Sequence, residues 1–236
     1  MWIILFIVNQ ELNNALFAVN IIRPTSFDKD KIVIIDYSLG NVESIRNMFN
    51  RVGVDACVSG NPDEIRKCGK LILPGVGSFD VAMMQLQKLQ LLPTINQLVL
   101  EERRPVLGIC LGMQLMTKGS EEGNLPGLSW LDARCFKLRP NEPTPMRVPH
   151  MGWNIANKKK PGYFFNEDDN LNKFYFAHSY CVKCNDASDV LAETMYGQNF
   201  SSAVQRGNIF GVQFHPEKSH RYGSNLMKSF AEWNAT

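Results

Sequence analysis

The sequence predicts an α/β fold, with a mostly parallel central sheet flanked by helices and an antiparallel strand portion, on three observations. From Ile32 onward, short apolar runs alternate with stretches whose apolar residues recur at helical spacing. The short runs show no polar alternation, as strands covered on both faces require. After Trp130 the pattern changes to strands separated by turns.

The first strand is Lys31-Ile32-Val33-Ile34-Ile35, and Val42, Ile45, Met48, Phe49 and Val52 then share one helical face. Leu71-Ile72-Leu73 is a short buried strand. Phe79, Ala82, Met83, Leu86 and Leu89 make a second helix, and Ile95, Leu98 and Val99 a third. Pro105-Val106-Leu107-Gly108-Ile109, behind the charged Glu101-Glu102-Arg103-Arg104, is a further buried parallel strand, and Leu111, Leu115 and Met116 open another helical pattern. Residues 190–196, 202–206 and 209–214 are strands, with Gly207-Asn208 predicting a hairpin between the last two. No internal repeat or long linker appears, so residues 31–236 are expected to form one domain.

A chain of 236 residues with 44% hydrophobic content can bury the core of one globular domain. A net charge of +2 gives no electrostatic case for nucleic acid or a membrane surface. The six cysteines, at 57, 68, 110, 135, 181 and 184, are unevenly spaced, which favours free thiols in a reducing cytoplasm over a disulfide framework. Cys181-x-x-Cys184 lacks the second ligand pair of a structural zinc site and the following helix of a redox motif, so no metal is expected. Residues 1–30 precede the first strand as an extension. Their apolar run, Trp2 to Val8, has no basic residue before it and no small-residue cleavage site close behind, and is too short to span a bilayer. Either the start is placed too far upstream or an appendage has been added; poor order is expected, with the apolar run packed loosely as a helix.

Two segments carry chemistry. Gly108-Ile109-Cys110-Leu111-Gly112 puts a cysteine between a strand and a helix, flanked by the small residues that a strained nucleophile turn needs. The turn sets the sulfur at a helix N-terminus, which favours thiolate over thiol. A buried structural cysteine is the bland alternative. Downstream, Ile209-Phe210-Gly211-Val212-Gln213-Phe214 runs into His215-Pro216-Glu217, where Pro216 holds the offset between an imidazole and a carboxylate. A base that takes the thiol proton, and a carboxylate that orients the base, complete a Cys110, His215, Glu217 triad.

Other motifs extend the pattern: Asp36-Tyr37-Ser38-Leu39-Gly40-Asn41, Leu73-Pro74-Gly75-Val76-Gly77-Ser78-Phe79-Asp80, Gly112-Met113-Gln114, Pro149-His150-Met151-Gly152-Trp153-Asn154, His178-Ser179-Tyr180 and Gly211 through Lys218. In this order they resemble the class I, triad-type glutamine amidotransferases. Within that family the chain is similar to the glutaminase subunits of imidazole glycerol phosphate synthase, from about Lys31 to about Trp233. The resemblance implies a flavodoxin-like sheet and hydrolysis of glutamine to glutamate and ammonia without metal or organic cofactor. It implies an oxyanion hole from Gly75, Val76 and Leu111, although Pro-Gly alone is an ordinary tight turn, and glutamine binding by Gly77, Gln114, Ser179 and Tyr180. It implies a heterodimer in histidine biosynthesis with a separate synthase/cyclase barrel, met by Pro149, Met151, Trp153, Asn154 and Lys218. Trp153 suits an interface anchor or a buried core position equally. His178 follows the apolar run Phe174-Tyr175-Phe176-Ala177 and is read as a hydrogen-bonded core histidine rather than a second base.

Three alternatives stay open. Ser38 stands where the histidine-pathway members commonly carry glycine, and the 117–133 and 218–221 segments look closer to second-copy members that supply ammonia for amidination of a surface-polysaccharide sugar. A cysteine hydrolase or thiol stress protein of the same hinge-type fold would keep Cys110 and a histidine without needing Gln114 or Ser179-Tyr180. A non-catalytic binding protein would have lost a triad residue, and none is missing.

Overall fold

The computed structural model describes residues 27–139, 146–161, 163–165 and 172–234. The expectations for Trp2 to Val8, and for the rest of 1–26, lie outside them. In chain order the strands are β1 (Ile32–Ile35), β2 (Ala56–Ser59), β3 (Lys70–Leu73), β4 (Val106–Ile109), β5 (Ala133–Lys137), β6 (His150–Ile155), β7 (Asn157–Lys158), β8 (Lys173–His178), β9 (Tyr180–Cys184), β10 (Val190–Met195), β11 (Asn199–Arg206) and β12 (Ile209–Val212). The α-helices are α1 (Val42–Arg51), α2 (Pro62–Ile65), α3 (Phe79–Lys88), α4 (Leu91–Asn96), α5 (Leu111–Leu115) and α6 (His220–Glu232).

One sheet runs β2-β1-β3-β4-β12-β11-β10-β7. Its first five strands are parallel, as the unbroken apolar runs predict, and their order is that of a doubly wound fold. Beyond β12 the pairing turns antiparallel: Arg206 faces Ile209 across the expected hairpin, with Gly207 at φ +55° in the loop. Strand β9 joins β11 at Ser201 and Val182 and carries β5 on its other side. Among the described residues, strands β6 and β8 pair only with each other, from His150–His178 to Ile155–Lys173.

The strands send alternate residues to two cores. Ile32 and Ile34 of β1 pack with Ile45, Met48 and Phe49 of α1 and Leu226, Met227 and Phe230 of α6. Val33 and Ile35 pack on the other face with Phe79, Ala82 and Leu86 of α3 and Leu91 and Ile95 of α4. Two elements differ from the sequence expectation. The third helix divides, α4 giving way to a π-helical turn over Gln97–Glu101. The helix after Cys110 lasts only five residues, closing where Thr117 Oγ1 donates to the Gln114 carbonyl at 2.8 Å. At the N-terminal side, Asp28 N–H donates to the Lys67 carbonyl at 3.2 Å and the Phe27 ring lies 4.3 Å from the Arg104 guanidinium, so residues before Lys31 already touch the domain.

Candidate active site

Three parallel strands end together, and their carboxyl edges build the site, as the topology of open α/β sheets dictates. Cys110 follows β4 at φ +53° and ψ −109°, a strained conformation for a non-glycine residue. Its N–H donates to the Val212 carbonyl at the end of β12, at 2.8 Å. The turn is pressed against β3: a Cβ on Gly112 would stand 1.8 Å from the Leu73 carbonyl oxygen. That approach is what the flanking glycine permits. With five residues, α5 contributes its first-turn N–H groups more than a summed dipole.

His215 follows β12 in extended backbone. Its N–H donates to the Tyr175 carbonyl at 2.8 Å, and Ser219 Oγ donates to its carbonyl at 2.6 Å. Pro216 opens a single 3-10 turn that brings Glu217 back, so that His215 Nδ1 and Glu217 Oε1 meet at 2.8 Å with both side chains buried. Cys110 stands close enough to the same ring to act on its charge. Burial disfavours the charged imidazole, but the influence of Cys110 and the hydrogen bond and charge of Glu217 outweigh it, and the His215 pKa rises to about 10. A ring whose protonated form is favoured in this way suits the base of a cysteine nucleophile.

A cavity of about 310 Å³ opens over Cys110. The sequence-derived residues Val76, Gly77, Leu111, Gln114, Ser179 and Tyr180 all line it, joined by Pro149 and Met151. Gly75 sits behind this wall, packed on Leu111 and Tyr37. Trp153, Asn154 and Lys218 lie outside the cavity lining. Trp153 is 40% exposed and stacks on His220 with ring centroids 5.5 Å apart, and Lys218 Nζ lies 5.9 Å from the Tyr175 ring centroid. Trp153 is therefore a surface residue and not part of the buried core.

Two groups, one behind the cavity wall and one on it, go beyond the sequence expectation. Gln213, fully buried, points Nε2 at Cys110 Sγ at 3.7 Å and accepts from Gln114 Nε2 at 3.1 Å. Glu122 brings a carboxylate to the cavity wall. Burial raises its pKa, the Phe79 N–H bonded to Oε2 at 2.9 Å lowers it and Asp80 raises it, with an upward net shift. The only sequence signal for Glu122 is an acidic residue in a glycine-bounded loop. His178 also lines the cavity and is buried and hydrogen-bonded, as its position after an apolar strand predicts.

All six cysteines are free. Among the described residues no cluster of three His, Cys, Asp or Glu could hold a metal ion, and no helix is long and apolar enough to cross a membrane.

Fold and site together define an α/β protein with a cysteine, histidine and glutamate grouped at the carboxyl edge of a doubly wound sheet. The chain belongs to the class-I glutamine amidotransferases, whose family model matches residues 33–232. It is 48% identical over 204 residues to imidazole glycerol phosphate synthase subunit HisH 2 of Methanococcus maripaludis, covering 84% of this chain and 98% of that protein. Identity is 43% to the HisH 2 subunit of Pseudomonas aeruginosa, over 85% of this chain and 98% of the relative, and 41% to the HisH subunit of Bdellovibrio bacteriovorus, over 85% and 99%. Among solved structures, PurLQS from Thermotoga maritima superposes with a TM-score of 0.63 at 16% identity, covering 86% of this chain and 97% of that one. That likeness concerns the fold.

Proposed function

We propose that this chain is the glutaminase subunit of an imidazole glycerol phosphate synthase, hydrolysing L-glutamine to L-glutamate and ammonia for a separate synthase subunit. The observation that carries the reading is Cys110, in strained backbone on the cavity lining, beside a histidine whose Nδ1 Glu217 holds at 2.8 Å. The Cys110 sulfur attacks the side-chain carbonyl carbon of glutamine. The resulting oxyanion is met by N–H groups of the Gly75-Val76 loop and of Leu111; one such donor is worth about 3 kcal/mol in the barrier. His215 gives its proton to the departing nitrogen, the C–N bond breaks and ammonia leaves a glutamyl thioester. His215 then takes a proton from water, the hydroxide cleaves the thioester, and glutamate and free thiol remain.

Around the reacting carbon, Gln114, Ser179 and Tyr180 bind the amino-acid end of the substrate together with Gly77, and the Glu122 carboxylate suits its ammonium group. Val76, Met151 and Trp153 leave apolar surface at and beside the cavity rim, and with Pro149, Asn154 and Lys218 they form the docking face for a barrel-shaped synthase subunit. Such a partner would receive ammonia before it is lost to protonation and bulk water. The relatives' names support this partnership. Cys110→Ala tests the reading: glutamate release should vanish, while the assembled complex still works on added ammonium salt. Loss of the ammonia-driven reaction with assembly intact would defeat this division of labour.

A further inference from the structure

A run of hydrogen bonds leads from the outer strand β6 into the cavity, and backbone groups fix its direction at both ends. At the outer end Asn154 Oδ1 accepts from the Ile155 N–H at 2.8 Å, and Nδ2 donates to the Met195 carbonyl at 3.0 Å, which sets the amide orientation. The same Nδ2 lies 3.3 Å from His150 Nε2, so that ring nitrogen accepts. At the inner end His178 Nδ1 faces the Tyr180 carbonyl at 2.8 Å. A carbonyl only accepts, so this nitrogen carries the hydrogen.

Between the rings, His150 Nδ1 and His178 Nε2 meet at 3.1 Å. Each neutral ring has one N–H, and only one assignment satisfies every contact: His150 Nδ1–H donates to His178 Nε2. An added proton on either ring would set one N–H against another or against the Asn154 amide. Burial keeps both rings neutral, lowering His150 to about 4 and, with the nearby His150 and His215 adding to the effect, His178 to about 3. Stacking fixes the His150 plane, with Phe176 and Tyr196 centroids at 4.8 and 3.9 Å.

The Tyr180 carbonyl that ends the run also accepts from Gln114 Nε2 at 3.0 Å, whose second hydrogen goes to Gln213 Oε1 at 3.1 Å. Both amide hydrogens of Gln114 are engaged, leaving Oε1 for a ligand in the cavity. We propose that His150 and His178 are positioning residues for glutamine binding: a neutral, one-directional hydrogen-bond chain from Asn154 fixes the Tyr180 carbonyl and thereby the Gln114 orientation that offers Oε1 to the substrate. This rests on the glutaminase reading and adds to it a link between the docking strand and substrate affinity.

Two measurements on the full-length protein test it. Nitrogen-15 NMR of the histidine rings at pH 7 should show His150 and His178 neutral, each with hydrogen on Nδ1. In steady-state glutamine hydrolysis with the synthase partner present, His178→Phe should raise KM roughly tenfold and leave kcat within about threefold, the loss of one buried hydrogen bond. His178→Asn places a donor where Nδ1 stood and should recover most of that KM. An Nε2–H tautomer on His178, an unchanged KM in a folded His178→Phe protein, or no recovery with asparagine would overturn the proposal. Packing alone would lower thermal stability in both variants without separating KM from kcat. If the wild-type complex releases no glutamate, the glutaminase reading fails instead, a separate result because the tautomers are read without turnover.

Discussion

The Tyr37 hydroxyl donates a hydrogen bond to the Pro74 carbonyl, from a phenol with no exposed surface. Burial, and behind it the Cys110 charge, push the phenol pKa far up, so the group stays a donor. Because the peptide is planar and trans, holding the Pro74 C=O also aims the Gly75 N–H the opposite way. The first peptide of the proposed oxyanion loop is thereby anchored, while the two that follow are not. Tyr37→Phe should lower kcat for glutamine hydrolysis about tenfold with little change in KM, the worth of one hydrogen bond felt in the transition state. A KM effect alone would assign Tyr37 to substrate binding.

The pH dependence of stability should have two windows of opposite sign. His150 and His178 are lowered to about 4 and about 3, so between pH 6.5 and those values the unfolded chain binds more protons than the folded one. Stability from this pair is complete above pH 6.5 and is lost as pH falls toward 3. His215 is raised to about 10, so its contribution is complete below pH 6.5 and fades as pH rises through 10. Urea titrations across pH 3–10 should therefore show a maximum near pH 6.5, with stability falling on either side. A variant in which both His150 and His178 are replaced by Phe should flatten the acid limb only, and Glu217→Gln the alkaline limb only.

Local signals were legible in the sequence and long-range ones were not. The glycine-flanked Cys110 turn and the His215–Glu217 contact are set by a few consecutive residues, and both local geometries form in the structure. Strands β1, β3, β4 and β12 announce themselves through apolar runs that need cover on two faces. Ser38 also makes local sense: it sits at φ +68°, where a glycine would rest without strain. By contrast, Glu122 reaches the cavity because Asp80, far off in sequence, accepts from the Asn124 and Leu125 N–H groups and pins the loop. The His150–His178 contact depends on the β6–β8 register, which no single segment encodes. The helix after Cys110 stops early because Thr117 and the 127–131 backbone bond to its last carbonyls, a tertiary override of the apolar pattern.

The boundary of the N-terminal extension can be tested by truncation. Asp28 is bonded to Lys67, and Phe27 lies over Arg104, whose guanidinium also donates to the Arg66 and Cys68 carbonyls. Removing residues 1–26 should leave melting temperature within about 2 °C and glutaminase activity unchanged, since the family match begins only at residue 33. Extending the cut to residue 30 removes both contacts and should cost about 1 kcal/mol, a drop of roughly 2–4 °C for a domain of this size. A larger loss from the shorter cut would make residues 1–26 integral to the fold.

The isolated chain should hydrolyse glutamine slowly and be switched on by its synthase partner. Pro74 is tied to Tyr37 and Gly75 is wedged between Leu111 and Gly112, but Gly77 has φ +117° and, around its would-be Cβ, only Leu39 Cδ2 at 3.8 Å. Val76, between them, is 43% exposed beside the proposed docking face. One end of the loop is thus fixed and the other is free to turn its peptides at little steric cost, so the Val76 N–H need not face the substrate at rest. A partner that binds the productive orientation better by 3 kcal/mol shifts its population roughly a hundredfold, and an oxyanion donor is worth about that much in the barrier. Glutamate production at saturating glutamine should rise by that order when the synthase and its acceptor substrate are added. Substituting Gly77 with Ala should raise the cost of the positive-φ conformation and blunt the activation more than the basal rate. Equal turnover by the isolated chain and the complex would make the loop a preformed oxyanion hole and the protein a constitutive glutaminase.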